Sequence, residues 1–162
     1  METTIKTQML IMGAGMAGIA QAVYLIRMLE KQGVSRQDID RRHFVILERA
    51  EDVGGVWRDN IYPGAAADVR SFVYCFSFMP DFPWTCEFPG QAELLLYIKT
   101  IVQKYKLRDH IVFEADVIRA DWQQRDLSWY IDTKQKGTFQ AKMVFSRSCH
   151  SVSQTQMWRI VR

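Results

Sequence analysis

The sequence is short of the residues that would place it in several common classes. It has 3 cysteines in 162 residues. Cys75, Cys86 and Cys149 are an odd number at spacings that fit no metal site, so free thiols are expected rather than a disulfide framework. All 4 prolines fall in one stretch, Pro63 to Pro89, leaving the segments on either side uninterrupted. No apolar run approaches the roughly 18 residues of a membrane-crossing helix, and Met1–Thr7 carries no secretory pattern. A cytoplasmic protein with no membrane partner is expected. Acids are missing altogether after residue 146. Removing Arg147, Arg159 and Arg162 from the 21 basic residues leaves 18, matched by 18 acids, so the net charge of +3 sits in the tail. A neutral body argues against a nucleic-acid partner, which needs a basic face. Internal repeats and low-complexity segments are missing too.

What is present is glycine in a particular order. Gln8–Met12 is a short apolar run, as in a buried parallel strand, and it ends in Gly13-Ala14-Gly15-Met16-Ala17-Gly18. From Ala17 to Lys31, apolar residues recur at three- and four-residue steps (Ile19, Val23, Ile26, Leu29), which predicts a helix. Gly33 lies just past its end, where a left-handed cap costs glycine little. Phe44–Glu48 reads as a second parallel strand, completing a βαβ unit. In such a unit Gly13 makes the tight turn, Gly15 lets a pyrophosphate approach the main chain, and Gly18 lets helix and strand pack closely. The phosphates lie at the helix N-terminus, whose free N–H groups favour anions. Glu48 is placed to accept the two ribose hydroxyls of an adenosine. It lies 30 residues past Gly18, against about 20 expected; the polar segment Val34–His43 reads as a loop insertion that accounts for the excess. An acid there suits FAD or NAD better than NADP.

Gly54-Gly55 separates those two. A simple NAD unit has no use for a second glycine pair so soon after its ribose acid. A flavin does, because the chain must pass close to the pyrophosphate and ribityl chain. Trp57 is then placed to lie against the flavin, the alternative being a core tryptophan; for Asp68 the alternative is a loop-capping acid. Residues 49–90 are loop-rich and aromatic-dense. An amphipathic helix is expected over Gln91–Leu107, then strands over Ile111–Arg119, Leu127–Thr133 and Thr138–Phe145, with a turn at Lys134–Gly137.

These stretches resemble the N-terminal end of flavin-containing monooxygenases of the Baeyer–Villiger type, a class that includes cyclohexanone and hydroxyacetophenone monooxygenases. The resemblance is carried by Gly13–Gly18, Glu48 through Trp57, Asn60-Ile61-Tyr62-Pro63-Gly64 with Asp68, and Tyr74-Cys75-Phe76-Ser77-Phe78, and it covers most of residues 8–146. It implies an α/β, Rossmann-like FAD-binding domain of the two-dinucleotide flavoprotein type, incomplete, with a small β appendage over residues 111–146. It implies that Gly13, Gly15 and Gly18 hold the FAD pyrophosphate and Glu48 the ribose. Gly55, Val56 and Trp57 would line the path to the flavin, Tyr74 would contact it, and Val117 would offer its backbone to the adenine. Asp68 would support catalysis from the flavin's reactive side. In the family, NADPH reduces FAD and O2 is then used to insert oxygen into a ketone or to oxidise a heteroatom.

The second glycine loop for NADPH, the family's linker fingerprint and its later arginine are not in this sequence, so no complete catalytic site is expected. After residue 146 the family's Leu-Ser-x-Pro segment is missing as well. Read two bases on, the codons for Cys149–Arg159 permit Ser/Pro-Leu-Ser-Val-Pro-Asn/Asp-Pro-Asn/Asp-Val-Glu; the second Val is forced, because Met157 and Trp158 have single codons. Residues 1–146 are therefore expected to be a partial FAD-binding domain, and residues 147–162 an out-of-frame tail. Two alternatives stand beside an FAD-binding fragment inactive alone: a stand-alone nucleotide-binding module, and a subunit completed by a separate NADPH-binding chain.

Overall fold

In the computed structural model, residues 4–146 and the backbone of residues 158–161 are described. The expected out-of-frame tail lies outside the described residues, apart from that four-residue backbone. The first strand, β1 (Ile5–Met12), leads through the glycine turn into helix α1 (Met16–Lys31) and then to β2 (Phe44–Leu47). All four residues of β2 are buried, as a strand covered on both faces requires. β1 and β2 pair in parallel, Met9 opposite Phe44 and Met12 opposite Leu47. Gly33 takes φ +88° as expected. Its N–H reaches Glu30 O and that of Val34 reaches Leu29 O, both at 3.0 Å, closing the helix in a Schellman motif.

Two single-turn helices follow, α2 (Val56–Asp59) and α3 (Ser71–Tyr74), and then α4 (Gln91–Lys104). The helix expected to run to Leu107 stops earlier, because Lys106 adopts a left-handed φ of 49° and a 3-10 turn over Leu107–His110 takes over. The Val34–His43 insertion is clamped to this corner. Arg36 donates to Tyr105 O at 2.5 Å, and Arg41 donates to Asp109 O at 2.6 Å and Ile111 O at 3.2 Å.

The remaining strands are β3 (Ile111–Val112), β4 (Val117–Gln123), β5 (Ser128–Thr133), β6 (Thr138–Ser146) and β7 (Trp158–Val161). The sheet order is β3-β2-β1-β6-β5-β4-β7. One expectation is corrected here: Ile111–Arg119 is two strands far apart in the sheet. β3 extends β2 at one edge, whereas β4 lies beyond β5 on the other side of β1. Glu114 breaks the run at φ +56°. The crossing is held by Glu114 N to Ala50 O at 3.0 Å and Ala115 N to Glu48 O at 2.9 Å. The β appendage is an antiparallel meander, β4-β5-β6, joined edge-on to the parallel sheet because β6 pairs with β1. β7 lies parallel to β4 at the outer edge of the sheet.

The sheet divides two apolar cores. On one face Ile19, Val23 and Ile26 of α1 meet Tyr97, Ile98 and Ile101 of α4. On the other, Leu10, Met12, Val45 and Leu47 share a buried cluster with Ala120, Ile131 and Phe139 of the meander. Each fully buried aliphatic side chain contributes about 1.5–3 kcal/mol relative to exposure. This frame fixes the C-terminal ends of β1 and β2, where the glycine turn lies.

Candidate functional site

The glycine turn is held by its own backbone. Gly13 adopts φ +92°, with no atom within 4 Å of where a Cβ would sit, and its N–H donates to Leu47 O at 2.8 Å. A Cβ on Gly18 would overlap the Gly13 carbonyl oxygen, so α1 crosses β1 at a distance that only glycine permits. Helix α1 starts from Gly15, and its first turn carries neither a side-chain cap nor an acid of its own, the arrangement that attracts phosphate.

The second glycine pair packs onto the first. Gly54 N donates to Ala14 O at 3.0 Å. Gly55, at φ +53°, lies so close that a Cβ on it would stand 3.1 Å from Gly15 Cα. Gly54 takes φ +125°, and a Cβ there would press on Leu95 of α4. The two motifs thus pack backbone against backbone, with no side chain between Gly15 and Gly55.

Glu48 lies beside the glycine turn at the end of β2, its side chain 5% exposed. One carboxylate oxygen accepts from Ala14 N at 2.7 Å. The other accepts from Ala50 N at 3.0 Å and from Arg58 Nη1 at 3.2 Å. Arg58 also donates to Asp52 O and, through Nε, to Asp59 at 2.8 Å. Burial alone would lower the Arg58 pKa; the Asp59 and Glu48 carboxylates outweigh it and hold the guanidinium above its usual value. A carboxylate offers about four lone-pair sites. Three are taken, so accepting two ribose hydroxyls requires Arg58 to turn away. Val117 begins β4 two residues after Ala115, whose N–H is bonded to Glu48 O, which brings this part of the chain to the end of β2.

Trp57, Tyr74 and Asp68 make a second group. Trp57 Nε1 donates to Tyr74 OH at 2.8 Å, with ring centroids 5.9 Å apart at 76°. Burial raises the Tyr74 pKa and the nearby Asp68 charge raises it further, against the Trp57 hydrogen bond. Asp68 itself is exposed, on a loop pinned by Ala67 N to Pro89 O at 3.0 Å and Ser71 N to Glu87 O at 2.7 Å. Val56 is exposed at the start of α2. Gln91, first residue of α4, donates its side-chain amide to Trp57 O and ties the two groups together. Behind them Tyr97 is fully buried. Its hydroxyl accepts from Phe76 N at 2.8 Å and donates to Met79 O at 3.2 Å, and burial pushes its pKa up to about 12.

Sequence reasoning missed three participants. Ala14 contributes only its backbone, Gly54 was part of the quoted motif without a role of its own, and Arg58 carries no signal beyond following the tryptophan. Cys75 and Cys86 are free thiols, Cys75 accepting from Trp84 Nε1 at 2.9 Å; Cys149 lies outside the described residues. Among the described residues no cluster of His, Cys, Asp and Glu could hold a metal ion. None of their helices is long and apolar enough to cross a membrane.

No family model matches the chain. It is 40% identical over 136 residues to a Baeyer–Villiger monooxygenase of Streptomyces coelicolor, covering 84% of this chain and 24% of that protein. It is 37% identical over 126 residues to the FAD-binding monooxygenase ktnD of Aspergillus niger, covering 78% of this chain and 19% of that one. The fold matches the crystal structure of cyclohexanone monooxygenase from Rhodococcus sp. Phi1 bound to NADP+, with a TM-score of 0.73 and 29% identity over 88% of this chain and 25% of that one. The chain thus spans about a quarter of the length of the relatives it matches.

Proposed function

The chain belongs, as their N-terminal quarter, with the Baeyer–Villiger and FAD-binding monooxygenases, and from that premise we propose that residues 1–146 bind FAD and are inactive alone. The observation that carries this is the uncapped, acid-free N-terminus of α1, set where the backbones of Gly15 and Gly55 pack together and beside the Glu48 carboxylate. Glycine backbone without side chains lets a pyrophosphate approach the main chain, and the first-turn N–H groups supply its donors.

When bound, the flavin supplies redox chemistry, with NADPH as reductant and O2 as oxidant. The chain's own residues bind and orient. Gly13, Gly15 and Gly18 shape the phosphate seat. Glu48 exchanges Arg58 for the ribose hydroxyls, and Val117 offers backbone to the adenine. Gly55, Val56 and Trp57 line the path towards the ring system, Tyr74 contacts it, and Asp68 faces its reactive side. Reduction and oxygen transfer require the NADPH-binding part and the arginine of the longer relatives, supplied by the same chain or a partner. Residues 147–162 are proposed to be read out of frame, on the strength of the codon argument.

FAD titrated into the purified chain, followed by flavin fluorescence and calorimetry, is expected to bind one to one. Absence of binding of both FAD and ADP would overturn the reading. Sequencing the transcript across codons 140–162 and beyond tests the tail: the shifted frame should run on into a second glycine loop, and a shifted frame that closes at once would exclude the frame change.

A further inference from the structure

The Val34–His43 insertion contributes nothing to the glycine turn, yet three arginine–carbonyl hydrogen bonds lock it in place. Against α1 and the 3-10 corner it borders a pocket of about 560 Å³, within the range of small-molecule sites. Ile26 and Ile39 supply apolar wall, and Arg36, Arg41, Lys106 and His110 supply polar wall. His110 stacks on Phe44, so the pocket lies where β2 starts, whereas the glycine turn lies where β1 and β2 end. Every wall residue falls between 26 and 110, so all of the walls come from this chain.

The charges around the pocket do not cancel. Arg36 pairs with Glu30 at 3.6 Å, and Arg42 with Asp40 at 2.7 Å. Asp40 also meets His43 at 3.3 Å. Arg41 donates only to two main-chain carbonyls, and Lys106, left-handed at φ 49°, has no side-chain partner among the described residues. Both cations line the pocket, with Asp109 as the remaining acid. His110 adds a directional group. It is 7% exposed, and its Nδ1–H donates to Phe44 O at 3.3 Å, which leaves the lone pair on Nε2. That nitrogen has no hydrogen-bond partner among the described residues. Nor is it sealed from solvent, because Asp121 Oδ1 is their one fully buried side-chain nitrogen or oxygen atom without a partner. The space that His110 lines is this pocket, and once protonated Nε2 is a donor into it.

We propose that the pocket is a second ligand site, which binds a phosphate or sulfate group, free or as the head of a small ester, between Arg41, Lys106 and His110. Binding is linked to a proton. Burial, Arg36 and Arg41 oppose protonation of His110, against the Phe44 carbonyl and Asp109. An oxyanion among these groups favours the imidazolium, so it raises the His110 pKa and binds more tightly as pH falls. The other charged or titratable groups around the pocket, Asp40, Arg42 and His43, are engaged with one another. The site is independent of whether the glycine turn binds FAD.

Sodium sulfate titrated into the full chain at constant ionic strength, followed by NMR of the His110 and His43 rings, is the test. Sulfate is a dianion on both sides of the histidine range near pH 6.5, so any pH dependence belongs to the protein. A saturable shift of the His110 ring is expected, with its pKa rising as sulfate binds. Arg41→Gln should weaken binding about tenfold. Lys106→Asn, which suits the left-handed backbone, should weaken it about threefold with an unchanged far-UV circular dichroism spectrum. This exposed second variant guards against Arg41→Gln loosening the insertion. Lys142→Gln, which removes the same charge from β6, should leave binding unaltered, and His110→Phe should abolish the gain on acidification, read by calorimetry. Phenyl phosphate binding more tightly than phosphate would assign the apolar wall to an ester, and equal affinities would assign the site to the free ion. A response of His110 that stays linear in sulfate overturns the proposal, as do shifts confined to the amides of Gly13–Gly18 or binding unchanged in both Arg41→Gln and Lys106→Asn.

Discussion

Gly15 and Gly18 sit in one motif, yet their surroundings predict opposite results for the same substitution. At Gly18 an added methyl overlaps the carbonyl oxygen of Gly13 and comes within 3.4 Å of Ile11. The obstacle is backbone, so no rotamer relieves it, and α1 must move off β1. Overpacking costs about 1–3 kcal/mol, occasionally more, while alanine returns up to about 1 kcal/mol of helix propensity. With a carbonyl as the clashing group, a net loss of about 2–3 kcal/mol is expected; at about 2–4 °C per kcal/mol this lowers the melting temperature by about 4–12 °C. At Gly15, φ is −79°, which alanine accepts. The nearest atom to its methyl is Gly55 Cα at 3.6 Å, an ordinary contact. Gly15→Ala at the N-cap of α1 should cost about 1 kcal/mol or less, while placing a methyl between the two glycine motifs and weakening FAD at least tenfold. Thermal melts and flavin titration of the two variants separate fold from binding. A Gly18→Ala protein that melts with the parent would refute the helix–strand argument. A Gly15→Ala protein that binds FAD normally would show that the phosphates lie elsewhere.

Glu48→Gln replaces a buried acceptor with a group that turns a donor towards Ala14 N or Ala50 N and takes one of its two carboxylates from Arg58, which keeps Asp59; a loss of about 2–4 kcal/mol in urea unfolding is expected, and a change below about 0.5 kcal/mol would refute the buried-pair reading. His110 stacks on Phe44 at 4.1 Å and donates Nδ1–H to Phe44 O at 3.3 Å. Burial holds its pKa below 6.5, against the pull of that hydrogen bond, with Arg36 and Arg41 adding to the depression and Asp109 opposing it. Stability is then fully present above pH 6.5 and declines as pH falls below it, where the unfolded chain takes up a proton that the folded chain resists. His110→Phe should flatten this decline below about pH 6.5, and an unchanged slope would count against His110 as its source.

The parts legible in the sequence are those where chemistry is local. The turn Gly13–Gly18, the stripe Ile19–Leu29 and the cap at Gly33 each follow from spacing and backbone freedom, and each is formed as expected. The split at Glu114 was not legible. Ile111, Val112, Val117 and Ile118 read as one strand, and what breaks them is a left-handed residue held by carbonyls of Ala50 and Glu48 more than 60 positions earlier. Arg58 is the same case within the site: nothing on a four-residue helix announces a partner at the end of β2. The merging of the meander with the main sheet escaped notice because β6 looks like any alternating strand until β1 is found beside it.

That last pairing sets a clock on synthesis. One edge of β1 is covered as soon as β2 is made, but its other edge waits for β6, Ile5 opposite Phe139 and Met12 opposite Ser146. At about 5–20 residues per second a ribosome takes on the order of ten seconds to bring the late strand out. Throughout that interval the first strand presents unpaired amides and carbonyls to its surroundings, and a holding chaperone would find its substrate there. A nascent chain released before Thr138 would never seal that edge, whereas one read correctly through Ser146 completes it.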